Sequence, residues 1–256
     1  MTHPSERNGN VVSIDLVKEG RSNWEALSQT DYPGRFFIAG RNSEGFLTVA
    51  YALTGRSEGS RNRKLVWEYG RLRVVSADES KSAGDKSLTI YDAVIPVEAG
   101  LVVSNGAQSK EIAMSLRTGE NFQKALSLFS YEPDSPIFTS RISALISAEG
   151  LEMSNIKRGP SGETIRDNFG YPIPDEGMVR AMQTYEGTKD GKVVRFDRTP
   201  YVLDISGTDE EIADRVWNAL PQDHRIAVSV VVLRPSGPKA TIKNRFGGQE
   251  VEYLTP

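Results

Sequence analysis

Four short stretches of the 256-residue chain carry residue types suited to polar chemistry. The first is cationic. Arg35, Arg41, Arg56, Arg61, Arg63 and Lys64 fall within two neighbouring apolar runs and the loop that follows them, with only Glu44, Glu58 and Glu68 nearby. Guanidinium groups offer paired N–H donors that match phosphate oxygens. In a chain of net charge −3, such a local excess suits one anionic ligand rather than a polyanion, and it equally suits a solvated hairpin face.

The second stretch, VVSNGAQSKEIA (102–113), reads as strand, Asn-Gly turn and helix. Backbone N–H groups at such a turn can hold an anion or a carbonyl oxygen, and Gly106 permits close approach. A plain loop with Ser109 as helix cap is the simpler reading. In the third, FSYEPDSPIFTSRI (129–142), Tyr131, Glu132 and Asp134 leave a helix and Arg141 opens a strand. A proline-bearing link of this kind either aims its polar groups into a cleft or only connects two elements. In the fourth, MQTYEGTKDGK (182–192), Tyr185 and Glu186 end a strand before Gly187. A phenol and a carboxylate at a strand end can handle protons, and an ordinary strand terminus before a Lys-Asp-Gly turn looks the same.

The remaining inventory excludes several chemistries. Without cysteine there are no disulfides, thiolate nucleophiles or cysteine zinc sites. The two histidines are His3, in a polar opening segment, and His224, at a loop-to-strand junction where a surface role is the simplest. A Ser-His-Asp triad or a multi-histidine metal site is hard to build from them. The charge balance and the lack of aromatics interleaved with the cations argue against nucleic-acid or membrane-surface binding. The opening MTHPSERNGN has no apolar signal region, and no run approaches the ~20 apolar residues of a membrane helix. The expectation is a soluble, cytoplasmic protein.

The elements that position these groups follow from periodicity. Residues 34–41 form a strand with Phe36 and Ile38 on one face and Phe37 and Ala39 on the other, so both faces are covered. Residues 46–53 return as its hairpin partner, with Leu47, Val49, Tyr51 and Leu53 on one face. Further strands are predicted at 65–69, 71–76, 88–97, 101–103, 141–148, 151–156, 179–185, 201–205, 225–233 and 240–246. Helices are predicted at 109–116 and 121–129, and a Thr208-x-x-Glu211 capping box opens another. Residues 1–10 read as a polar tail, 11–16 as a short strand, 23–27 as a helical turn, and 77–86 and 159–175 as loops. This is a layered α+β architecture with helices outside and sheets inside. Arg35 and Arg41, at opposite ends of one strand, stand roughly 20 Å apart by strand rise, too far to share one phosphate. Arg41 is expected to be merely solvated.

In order along the chain, YPGRFFIAG, AYALTGRS with the following RNR, IYDAVIP through VVSNGAQSKEIA, SYEPD with SRI, and TYEG resemble the archaeal-type IMP cyclohydrolases. The resemblance implies an αββα fold like that of the N-terminal-nucleophile hydrolases, in one domain over 31–256 behind a partly flexible N-terminal extension, 1–30. The chain departs from the family pattern in that extension, in Glu58-Gly59-Ser60-Arg61-Asn62-Arg63 where Phe-Pro-Asn-Arg is usual, and in Thr139-Ser140-Arg141 for Thr-Pro-Arg.

The implied activity closes the purine ring of 5-formamidoimidazole-4-carboxamide ribonucleotide to IMP and water. The implied ligand is a small nucleotide, without metal or organic cofactor, and a homo-oligomer stays open. Both reacting groups sit on one imidazole, so no covalent nucleophile is needed. On this reading Arg35, Arg56, Ser57, Arg63 and Arg141 bind phosphate or oxyanion, and Asn105 and Gly106 supply donors to the carboxamide or formyl oxygen. Tyr185 or Glu186 acts as acid or base, with Tyr131 and Asp134 in reserve. A nucleotide-binding regulator without turnover, or an amide hydrolase on the same scaffold, are the alternatives.

Overall fold

The computed structural model describes residues 9–81 and 88–253. Two seven-stranded antiparallel sheets form the centre of the fold. The first runs in the order β13 (Tyr201–Asp204), β10 (Met178–Gln183), β1 (Arg35–Arg41), β2 (Leu47–Thr54), β14 (Arg225–Arg234), β15 (Gly237–Asn244) and β16 (Gly247–Tyr253). The second is β3 (Arg63–Glu68), β4 (Arg71–Ser76), β5 (Tyr91–Val97), β6 (Gly100–Ser104), β7 (Arg141–Ser147), β8 (Gly150–Arg158) and β9 (Thr164–Tyr171). A small ribbon pairs β11 (Tyr185–Lys189) with β12 (Lys192–Arg195).

The period-two alternation of the strands decides the layers. Phe37, Ala39, Val49, Tyr51 and Leu53 of the first sheet meet Leu65, Leu72, Leu101, Ile142 and Met153 of the second in a shared core. Their alternate neighbours, Phe36, Ile38, Ala50 and Ala52, face outward onto α1 (Gly9–Ser28) and α5 (Asp209–Ala219) through Trp24, Leu27, Ile212 and Val216. The outer face of the second sheet is covered by α3 (Gln108–Arg117) and α4 (Phe122–Leu126), with Ile112, Phe122 and Leu126 against Val102 and Leu145. Helix, sheet, sheet and helix thus form four layers, as the doubly apolar strands require. Full burial of each large side chain such as Phe37 or Leu53 stabilises the stack by about 1.5–3 kcal/mol.

Several local expectations are corrected. Residues 11–16 belong to α1, not to a strand. Their β-branched run is overridden by the 20-residue helix, whose Trp24 and Leu27 pack on the sheet and whose Trp24 Nε1 donates to Asp204 O at 2.8 Å. The presumed loop 159–175 contains β9, which pairs along its length with β8. Alternate residues of this edge strand meet solvent, so its composition is polar and hides it. β16 is an added edge strand. Helix α3 starts after Ala107 without a side-chain cap, and Ser109 Oγ instead donates to Asp92 O at 2.5 Å. Arg41 is half-buried, with its Nε on Pro174 O at 2.8 Å and Glu176 at 3.9 Å. Most of the polar tail with His3, and residues 82–86 of the loop 77–86, lie outside the described residues.

Candidate active site

The run predicted as one strand over 179–185 is two, and the break is what builds the site. At Thr184 the chain leaves the first sheet between β10 and β11. Thr184 N donates to Arg35 O at 2.9 Å, and Arg35 N donates back to Thr184 Oγ1 at 3.1 Å. Gly34, at φ +74°, makes room for this crossing: a Cβ there would lie 2.1 Å from Thr184 Oγ1 and 2.5 Å from a ring carbon of Tyr185. Only glycine adopts that backbone at no steric cost. The Tyr185 ring is thereby laid beside the start of β1. Tyr32 stacks on it at 5.6 Å with planes 18° apart. The Arg56 guanidinium covers the Tyr32 ring at 4.6 Å, and His224 meets that ring edge-on at 5.5 Å.

The link from α4 to β7 supplies the other side. Glu132 N donates to Thr139 O at 2.8 Å, closing the link into a loop. Arg35 Nη2 donates to Glu132 Oε1 at 2.7 Å, with the two side chains 12% and 3% exposed. Burial opposes the Arg35 charge, but Glu132, helped by Tyr91, Tyr185 and Tyr51, holds the guanidinium well above its ordinary value. Burial pushes the Glu132 carboxyl up, against the pull of Arg35 and Arg141. Arg35 Nε is buried with no hydrogen-bond partner.

A chain of hydroxyls runs alongside. Asp134 accepts from Thr139 N at 2.7 Å and from Thr139 Oγ1 at 2.5 Å. Thr139 Oγ1 also lies 2.5 Å from Tyr185 Oη. Threonine has a single hydroxyl proton, which points to Asp134, so the Tyr185 hydroxyl donates to Thr139. The lone pairs of Tyr185 are then the open end of a relay to a carboxylate. Burial pushes the Tyr185 phenol up to about 12, against the pull of Arg35, so it is protonated at neutral pH.

The Asn-Gly turn closes the arrangement from β6. Asn105 Nδ2 donates to Ser140 O at 2.8 Å, and its Oδ1 accepts from Ile142 N at 2.9 Å and Gln108 Nε2 at 3.0 Å. Gln108 Oε1 accepts from Arg141 Nη1 at 3.2 Å, and Arg141 Nε donates to Ser130 O at 2.9 Å. A side chain at Gly106 would lie 2.7 Å from Arg141 Nη1, so glycine leaves that guanidinium its place. Burial lowers Arg141, partly offset by Glu132. Among the described residues no three acidic or histidine side chains gather to hold a metal ion.

A family model described as IMP cyclohydrolase-like protein matches residues 32–237, from Tyr32 of the stacked pair to the start of β15. The chain belongs to the IMP cyclohydrolase-like family. It is similar to the protein named IMP cyclohydrolase of Methanocaldococcus jannaschii, with 27% identity over 225 residues, covering 84% of this chain and 100% of that relative.

In this cyclohydrolase-like protein the stretches chosen from sequence are spread unevenly. Arg35, Asp134, Arg141 and Tyr185 come together with Asn105 and Gly106 in the network above, and Arg56 joins through Tyr32. Arg63 lies beneath, 4% exposed, donating to Ser60 O at 2.8 Å and Thr54 O at 3.2 Å. Ser57 caps α2 (Glu58–Arg61) by accepting from Ser60 N at 3.2 Å. Tyr131 donates to Gly162 O at 2.9 Å. Glu186 pairs with Arg198 Nε at 3.0 Å. Sequence reasoning passed over Thr139, Tyr32, and the buried pair Tyr51–Tyr91, whose hydroxyls are 2.8 Å apart. Tyr32, Tyr51 and Tyr91 each lie within the matching text YPGRFFIAG, AYALTGRS and IYDAVIP, so the signal was present. Glu132 stood in SYEPD but was not chosen as a site residue.

Proposed function

We propose that this protein catalyses the ring closure of 5-formamidoimidazole-4-carboxamide ribonucleotide, giving IMP and water, in the cytoplasm. The reading rests on the Tyr185–Thr139–Asp134 relay beside the buried Arg35, in a chain of the cyclohydrolase-like family. The name of the archaeal relative supports it.

The carboxamide nitrogen attacks the formyl carbon, forming the C–N bond as electrons move onto the formyl oxygen. Its proton passes to Tyr185 Oη, while the Tyr185 proton moves to Thr139 and the Thr139 proton to Asp134. Arg35, with an unpartnered Nε–H, and Arg141 stabilise the developing oxyanion. Fixed donors in a dry site act most strongly on charge that appears only during reaction. The relay then runs backward and returns that proton to the departing oxygen. The formamido nitrogen contributes the second proton as the C–O bond breaks, so water leaves and the ring is aromatic. Arg56 binds the nucleotide over the Tyr32 face, while Asn105 and Gly106 position Arg141. Tyr131, Ser57 and Arg63 keep the surrounding loops in place, and Glu186 lies outside the reacting set.

The test is the absorbance change when purified protein meets the formamido nucleotide. Turnover by the wild type, with kcat lowered by about 10²–10⁴ in Tyr185→Phe as expected for loss of a positioned proton-transfer group, supports the reading. A wild type without turnover overturns it.

A further inference from the structure

At the edge of the second sheet the β3–β4 hairpin turns through Tyr69 and Gly70, at φ +53° and +70°. A two-residue turn of this kind needs positive φ at both positions, which Asn or Gly adopts with less steric conflict than tyrosine. The Tyr69 ring gains no burial in return, being 83% exposed. Between this turn and α3 lies a cleft of about 280 Å³, close to the lower end of the roughly 300–1,000 Å³ common for small-molecule sites. Helix α3 brings Lys110, Met114 and Arg117 to it at i, i+4 and i+7, one stripe of the helix, with Met114 60% exposed.

The cleft is cationic. Among the described residues its lining holds Arg71, Lys110 and Arg117 and no carboxylate. Behind the lining, Asp92 is buried and holds Arg71 Nη1 at 2.9 Å, Arg73 Nε at 3.2 Å and Lys110 Nζ at 3.7 Å. Glu68 takes Arg73 Nη1 at 2.6 Å, and among the described residues Arg117 has no ion pair. Four cations therefore meet two carboxylates, and a phosphate monoester dianion would neutralise the excess. The patch opposes the sign of the whole chain, which is −3. Asp92 fixes the Arg71 guanidinium from behind and leaves the rest of its fork to a ligand. The cations adjoin apolar surface at Ile95, Pro96 and Met114, and Arg73 lies 5.8 Å from the centre of the Tyr69 ring.

This place is separate from the candidate active site. On β5, Tyr91 points into the shared core, its hydroxyl 2.8 Å from that of Tyr51, while the next residue, Asp92, faces out beneath α3. We infer that the cleft between the β3–β4 turn and α3 is a second ligand site, which takes a nucleoside monophosphate. Its phosphate meets Arg71, Lys110 and Arg117, and its base lies on Tyr69 beside Met114. A bare phosphate would leave the ring and the apolar surface unused, and a bare nucleoside would leave the charge unanswered.

The experiment follows the emission of Tyr69→Trp as AMP, adenosine or inorganic phosphate is added. The exposed turn position lets the substitution leave the core alone, and a base stacking on the indole changes its emission. A saturable response to AMP is expected, with adenosine and phosphate each about tenfold weaker or more, as the loss of charge-assisted hydrogen bonds or of one stacked base implies. Adding Arg117→Ala, at an exposed position of α3, should weaken AMP about tenfold. Calorimetry then repeats the comparison without the reporter. Lys110→Ala and Arg117→Ala should each weaken AMP, and Tyr69→Ala should weaken AMP while leaving phosphate unchanged. Unaltered AMP binding in Arg117→Ala and Lys110→Ala, either fragment binding as tightly as AMP, or no saturation by AMP would each overturn the site. Neither measurement involves turnover, so the outcome is independent of the proposed function.

Discussion

Arg35 at the head of β1 and Glu132 in the α4–β7 link form a buried ion pair, 2.7 Å between Nη2 and Oε1, that joins the first sheet to the chain entering the second. Glu132→Ala leaves the guanidinium buried without its partner. Loss of one member of such a pair costs about 3–5 kcal/mol, while replacing both by apolar groups is often near neutral. Urea unfolding should therefore show a large loss for Glu132→Ala and a much smaller one for Arg35→Met/Glu132→Leu. The double variant should have no measurable turnover, because stability returns without the charge.

Thr139 is the middle of the relay, with 2.5 Å bonds on both sides. Thr139→Val keeps the shape and removes both bonds. We expect kcat to fall about 10²-fold or more with KM nearly unchanged. Thr139→Ser should recover most of the rate. Equal kcat in the Val variant and the wild type would remove the relay from the reaction.

Tyr185 gives a pH dependence with a defined sign. The folded chain keeps this proton to about 12, whereas the free phenol releases it near 10.0. Between these values the folded state binds more protons, so its stability is fully present below the lower one and falls as pH rises toward the upper. Urea midpoints across that alkaline window should decline less steeply in Tyr185→Phe. The difference is on the order of 2 kcal/mol. Parallel slopes in the two proteins would show that Tyr185 is not the group responsible.

Thr208 and Glu211 complete a capping box at the start of α5, with Thr208 N on Glu211 Oε2 at 2.8 Å and Glu211 N on Thr208 Oγ1 at 3.2 Å. Thr208→Ala should cost about 1 kcal/mol, read as a lower thermal midpoint, and leave kcat alone because α5 covers the outer face of the first sheet, away from the relay.

Gly34→Ala tests the crossing at Thr184. At φ +74°, with Thr184 Oγ1 2.1 Å from the new Cβ, the chain must shift. Both stability and turnover should drop, and near-UV circular dichroism should report a changed Tyr32–Tyr185 stack.

Strands apolar on both faces gave away the layers. Phe36 to Ala39 fill two different cores, and the Thr208 box announced its helix in four letters. Edge elements were illegible for the opposite reason: β9 meets solvent at alternate positions, and its pairing with β8 leaves no local apolar signature. The site was half legible. Charged and phenolic residues at strand ends stood out one stretch at a time. Which of them meet depends on the turn of the chain at Thr184 and on the loop closed between Glu132 and Thr139, and neither is a property of a short window. Arg63 and Asn105 show the cost of reading residue type alone: both are polar and buried, and both spend hydrogen bonds on backbone groups of their own chain.

The crossing at Thr184 also makes the chemistry sensitive to how the two halves of the sandwich are aligned. Arg35 and Tyr185 ride on one half, and Glu132, Thr139 and Asp134 precede the first strand of a hairpin in the other. A misplacement of about 1 Å can cost 10²-fold in rate. A repacking substitution deep in the shared interior, such as one at Met153 or Leu101, that slides one half past the other would thus silence the enzyme while leaving it folded, and turnover becomes the finest available gauge of that alignment.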